Sequence, residues 1–126
     1  MRLLLDTHAL IYLLSDPEEM RAQAREAIAD PSNDVAFSAA NVWEIEIKAE
    51  RGKLIPLAPD TLAAARSLPI RELAISSDHA QHAGRLPLHH HDPFDRVLIA
   101  QAEIEGLTLV TRDAALGAYG VDVLLC

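Results

Sequence analysis

Five short apolar runs recur along the chain, at residues 2–5, 35–37, 72–75, 107–110 and 121–125, and each is separated from the next by a segment long enough for a helix or a helical turn. Strands that pair in parallel need such crossovers, and strands apolar along their whole length are covered on both faces. The pattern predicts an α/β fold: a mostly parallel, four- or five-stranded sheet with helices on both sides. Helices are expected over 7–15, 17–29, 39–51, 61–67, 77–85 and 93–105, with a short one from Ala114. Pro31, Pro56, Pro59, Pro69, Pro87 and Gly106 fall between them, where chain breakers belong. With 126 residues there is material for one hydrophobic core, so residues 1–126 are expected to form one domain.

Nineteen acids against eleven Lys and Arg give a net charge of -8, which argues against a basic module that coats DNA through clustered cations. The one cysteine, Cys126, rules out an internal disulfide and a Cys-ligated zinc site, and a reducing cytoplasm is the expected compartment. The longest apolar stretch, 9–14, is far short of the roughly 18 residues of a membrane span, and MRLLLDTH lacks a long apolar signal region. No membrane association is expected.

The carboxylates carry the chemistry. Asp6 directly follows the first strand, and Asp113 lies three residues past the run 107–110. In an open α/β sheet ligands gather outside the carboxyl ends of the strands, where strand order reverses, so both are expected on that edge. Taken singly, each is read more simply as a helix N-cap. Asp92-Pro93-Phe94-Asp95 opens the most apolar helix; an N-cap role explains Asp92, but Asp95 would need a cation or several donors to stay charged there. Glu44 shares a helical stripe with Lys48 and Arg51, while Glu46 and Glu50 form another, and spacing does not choose among them. Glu44 with Lys48 reads at its simplest as a surface pair worth a few tenths of a kcal/mol. Together, Asp6, Asp95 and Asp113 reach one edge from three elements, and the helix after the second strand can add a fourth carboxylate. Such a cluster is stable when a divalent cation neutralises it, and carboxylates plus water suit Mg²⁺ or Mn²⁺.

The segments LLDTHALIYLL, SAANVWEIEIK and HHHDPFDRVLIAQAEIEGLTLVTRD, with the closing strand, resemble in order those of the PIN-domain ribonucleases, specifically the VapC-like toxins of bacterial type II toxin-antitoxin modules. The resemblance covers nearly the whole chain. It implies a three-layer α/β/α PIN fold, Mg²⁺- or Mn²⁺-dependent RNA cleavage, a homodimer, and an antitoxin partner that covers the site. Carried over by residue, the family's acidic quartet falls on Asp6, Glu44, Asp95 and Asp113, selecting Glu44 where the helical stripe does not. Asp6, Asp95 and Asp113 would hold the metal, directly or through water, with Glu44 orienting or activating the attacking water. Asp92 is kept as an N-cap or a supporting group.

His89–His91 and His8 lack zinc-site spacing, and the triple is expected in a solvated loop near the mouth of the site. Thr111 serves either a ligand or the backbone at its strand end. Lys48, Arg51, Lys53, Arg96 and Arg112 could hold RNA phosphates, though each is read first as a surface charge or the partner of a neighbouring acid. Trp43 is expected in the core or a dimer interface, with base stacking as its other use. The alternative function is an inert α/β binding module or a receiver-like phosphoacceptor; against the receiver, no acidic pair closes the first strand and VDVLLC has no Lys. A haloacid dehalogenase-like phosphatase would need DxD where Asp6-Thr7-His8 stands. No base-reading motif identifies an RNA target.

Overall fold

The computed structural model describes residues 1–126. Strands β1 (Arg2–Leu5), β2 (Asp34–Ser38), β3 (Arg71–Leu73), β4 (Thr108–Thr111) and β5 (Val123–Leu125) form one sheet, parallel throughout, in the order β3-β2-β1-β4-β5. The connections carry α1 (Thr7–Leu14), α2 (Ala22–Ala29), α3 (Ala39–Glu50), α4 (Thr61–Arg66), α5 (Ser77–Arg85) and α6 (Pro93–Glu105), with 3₁₀ turns at Pro17–Glu19 and Ala114–Tyr119. The class is the expected one, with five strands. No helix is long and apolar enough to cross a membrane.

Alternation along the strands divides the core in two. Leu3, Leu5, Val35, Phe37 and Val110 face one side and pack with Ala9, Leu10, Ala24, Ile45 and Ala65 from α1 to α4. Leu4, Ala36 and Leu109 face the other and pack with Ala83, Leu98, Ile99 and Ala102 from α5 and α6. Both faces of β1 are therefore sealed, which is why its three leucines run without a polar interruption.

Three boundaries differ from the sequence expectation. The helix expected over 17–29 is broken: Asp16 caps a 3₁₀ turn, then Met20 turns extended (φ -79, ψ 146) and its side chain enters the core. The backbone N–H of Arg21 meanwhile donates to the carbonyl of Cys126 beyond β5 at 3.1 Å. Burying a methionine and pairing that N–H outweigh the modest helix propensity of the segment. The outer strands are also shorter than their apolar runs, because each pairs on one side only, at Arg71–Leu73 and Val123–Leu125.

One polar seam crosses this apolar interior. Gln101 of α6 is fully buried and accepts from the Ser38 hydroxyl at 2.6 Å, while its amide N–H donates to the Ala74 carbonyl at 3.3 Å. It ties α6 to the carboxyl end of β2, where α3 begins. Gln101→Ala removes both bonds and leaves a cavity, so urea unfolding is expected to show a loss of about 2–4 kcal/mol, against less than about 1 kcal/mol for a truncation of exposed Gln81.

Candidate active site

The strand order reverses between β1 and β4, the two central neighbours, and their carboxyl ends open side by side. Leu5 pairs with Val110, and the Asp6 N–H donates to the Val110 carbonyl at 2.9 Å, so Asp6, just past β1, stands beside Thr111, the last residue of the neighbouring β4. Asp6 caps α1, its Oδ1 accepting from the Ala9 N–H at 2.8 Å. Asp113 caps the 3₁₀ turn through the Ala115 N–H at 3.0 Å, and its own N–H donates to Thr111 Oγ1 at 3.1 Å. Asp92 caps α6, accepting from the N–H groups of Phe94 and Asp95. Capping and a place in the site thus coincide, since a cap bond occupies one carboxylate oxygen and leaves the other.

These residues line a pocket of about 410 Å³ without a single apolar side chain. Five carboxylates face it, Asp6, Glu44, Asp92, Asp95 and Asp113, with Thr111 among them and His8, Lys48 and Arg112 as the basic groups. The pocket separates the three glutamates of α3: Glu44 is 5% exposed and lines it, whereas Glu46 and Glu50 are exposed. Nor is Glu44 with Lys48 a surface pair. The Thr7 hydroxyl donates to Glu44 Oε1 at 2.5 Å and Lys48 Nζ lies 2.8 Å from Oε2, so both oxygens of a buried carboxylate are held by donors. Asn41 completes the arrangement. Its Nδ2 donates to Thr7 Oγ1 at 3.2 Å, and its Oδ1 accepts the Ser38 N–H at 2.7 Å in the capping box of α3.

The electrostatics are those of a site short of positive charge. Burial raises the carboxyl of Asp6 above the usual range; nearby Glu44 adds to this, while the Thr111 hydroxyl and the Ala9 N–H oppose it. Asp95 is pushed up to about 6, chiefly by burial and further by Asp92 and Glu44, although His90 Nε2 sits 2.8 Å from its Oδ2 and pulls the other way. Burial, with Arg112 next, lowers His8, so it adds little charge. An all-oxygen donor set with this excess of acid fits a hard divalent cation. No three acidic or histidine side chains are grouped closely enough to hold an ion by themselves, so an ion bound here would need water to complete its shell.

Several groups lie where sequence reasoning did not put them. Arg96 is neither a surface charge nor the partner of an acid: it is buried, and its guanidinium donates to the carbonyls of Ala83, Leu86, Pro87 and His90 at 2.8–3.2 Å. It clamps the loop between α5 and α6 that carries His90 to Asp95. Tyr119 holds the same loop, its hydroxyl on the His90 carbonyl and its ring edge-on to His89. The loop is thus tethered, while His89 and His91 are exposed, as expected of a solvated loop, and His90 reaches Asp95. Trp43 is not in the core; it is 58% exposed. The Thr7–Asn41 pair left a signal, a hydroxyl after the strand-end Asp6 and an amide three residues after Ser38, but its meaning depends on how far apart α1 and α3 lie.

A family model described as PIN domain matches residues 3–121. Among solved structures, DNA-bound VapBC from Salmonella typhimurium is 20% identical, with a TM-score of 0.73 over 99% of this chain and 98% of that chain. VapBC2 from Rickettsia felis, bound to a DNA fragment from their promoter, is 15% identical, with a TM-score of 0.71 over 99% and 98%. Mycobacterium tuberculosis VapC20, a sarcin-ricin loop cleaving toxin, is 17% identical, with a TM-score of 0.64 over 94% and 95%. No curated protein matches the chain in sequence.

The raised Asp95 carboxyl has a consequence for stability. Asp95 keeps its proton to about pH 6 when folded but loses it near its ordinary value of 3.8 when unfolded. The folded state therefore holds more protons within that window, and stability falls as pH rises through it. Asp95→Asn keeps the size of the side chain and an acceptor for His90. Without divalent cations it is expected to exceed wild type in unfolding free energy by about 1–3 kcal/mol at pH 7, with the gap closing near pH 4. Chemical denaturation at the two pH values measures this, and an equal gap at both would contradict the burial argument.

Proposed function

The chain belongs to the PIN domain family, and from that membership we propose that it is a Mg²⁺- or Mn²⁺-dependent endoribonuclease, the toxin of a type II toxin-antitoxin pair. In this reading residues 1–126 act as one PIN unit, as a homodimer, in the cytoplasm, restrained by a cognate antitoxin. The observation that carries the reading is the convergence of carboxylates from separate elements on one wholly polar pocket at the reversal of strand order. A receiver-like phosphoacceptor gains no comparable support, since a single nucleophilic Asp does not require Glu44 to be buried and fixed at both oxygens.

Asp6, Asp95 and Asp113 would hold the ion, directly and through water. When bound, such an ion lowers the pKa of a coordinated water and offsets charge on phosphoryl oxygens. Glu44 orients the attacking water: Thr7 and Lys48 fix its carboxylate, and each oxygen keeps a lone pair to accept a further hydrogen bond. Lys48 and Arg112, on the pocket wall, attract the substrate phosphate. The antitoxin then has a simple chemical means of inhibition, an Arg or Lys placed among carboxylates that are short of positive charge.

Purified protein freed of any partner is expected to cleave total RNA when Mg²⁺ or Mn²⁺ is supplied and to stop on chelation, with cut sites read by sequencing the products. Asp6→Asn should abolish cleavage and growth arrest while leaving the fold intact, because it retains a cap acceptor for Ala9 but loses the charge. Full cleavage by a folded Asp6→Asn protein would remove the assignment. Sedimentation is expected to show a dimer at micromolar concentration.

A further inference from the structure

A second concavity adjoins the acidic pocket. It is a groove of about 480 Å³ between α3 and the first turns of α6, and it shares Glu44, Lys48 and Asp92 with the pocket. Where the pocket is wholly polar, the groove is half apolar, with Trp43, Phe94, Ile75 and Val97 among its walls. Trp43 meets the Phe94 ring edge-on, centroids 5.0 Å apart and planes at 83°, and yet remains 58% exposed. The contact steadies the indole without covering it.

The cations are distributed unevenly around this feature. Of eleven Lys and Arg residues, Arg2, Arg25, Lys48, Arg66 and Arg71 pair with carboxylates, and Arg96 is occupied by carbonyls. Arg21, Arg51, Lys53, Arg85 and Arg112 have no carboxylate partner; Arg51 and Lys53 line the groove, and Arg112 lines the pocket. An apolar groove alone would suit a peptide. Two unpaired cations on its walls and direct continuity with a phosphodiester-cleaving pocket suit a strand that carries both flat apolar groups and phosphates, the combination by which single-stranded nucleic acid is held.

The structure assigns this groove to the nucleotide next to the scissile phosphate, whose base stacks on Trp43 and whose backbone phosphate is held by Arg51 and Lys53. The assignment rests on the ribonuclease reading above and extends it to a substrate subsite. It gives a chain of net charge -8 a local means of holding RNA beside its carboxylates. Because every base has a stacking face, this subsite contributes affinity and register more than base identity.

Trp43 is the only tryptophan, so its fluorescence reports the groove alone. The probe is a short single-stranded RNA of mixed sequence, titrated with Mg²⁺ into Asp95→Asn protein to suppress cleavage. Saturable quenching is expected with RNA, and none with an abasic phosphodiester of equal length. In the same background Trp43→Ala should weaken binding about tenfold or more, with Trp43→Phe restoring most of it. Arg51→Gln with Lys53→Gln should flatten the dependence of log affinity on log salt by about one to two units. Unchanged RNA affinity in Trp43→Ala would overturn the assignment, as would a loss confined to self-association or to binding of a protein partner, which would make the groove a protein interface. The two readings fail separately. If wild type does not cleave RNA with metal, the ribonuclease reading falls; if wild type cleaves and otherwise native Trp43→Ala cleaves with unchanged KM, only the base subsite falls.

Discussion

Asp6 and Glu44 are almost fully buried and within electrostatic reach of each other, Glu44 reaches Asp95 as well, and the rest of the site depends on how that repulsion is contained. Buried carboxylates without counter-charge take up protons, and the raised Asp6 and Asp95 are two expressions of this. The protein spreads the cost over separate elements. Glu44 has Thr7 and Lys48, Asp95 has His90, and Asp6, Asp92 and Asp113 each cap a helix or turn, so every acid has some donor. None of these donors neutralises the cluster. The parallel order β3-β2-β1-β4-β5 makes the arrangement possible, because it alone brings the ends of β1 and β4 together and lets α3 and α6 arrive from opposite faces.

A hydrogen-bonded seam fixes that geometry from behind. From Glu44 it runs through Thr7, Asn41, Ser38 and Gln101, passing from the helices on one face of the sheet to α6 on the other. In a low-dielectric interior such a chain holds its members to one arrangement, since any lapse leaves a polar group unpaired. No buried side-chain nitrogen or oxygen lacks a partner, so the seam is complete. Arg96 does for the loop beneath His90 what the seam does for Glu44, replacing helix-end and loop carbonyls' missing partners with one rigid fork.

Much of this was legible in the sequence because it depends on periodicity and on strand ends. The apolar runs located the strands, Asp92-Pro93 and Gly106 bounded α6, and the position of Asp6 and Asp113 after strands put them on one edge. The illegible parts depend on distances between elements. Glu44 and Glu46 differ only in which way α3 is rolled against α1, and α3's spacing does not contain that. Lys48 looked like a surface partner because burial of Glu44 is a tertiary property. Arg96 looked like a surface charge or the partner of an acid because its partners are backbone carbonyls, which every residue has. Trp43 was expected in the core or a dimer interface by its chemistry, and the core half of that expectation fails because α3 turns the position outward beside Phe94. The break at Met20 likewise follows from a core vacancy and the Cys126 carbonyl beyond β5, remote in sequence.

Calorimetric titration of Mn²⁺ into wild type, Asp95→Asn and Asp113→Asn tests the acidic centre most directly, because it reads the ion without requiring substrate or turnover. If the carboxylates at the strand ends form one ion site, wild type binds Mn²⁺ weakly with release of protons near pH 6, and each substitution weakens or abolishes that binding. Unchanged Mn²⁺ affinity in both variants, with their folds intact, would contradict it.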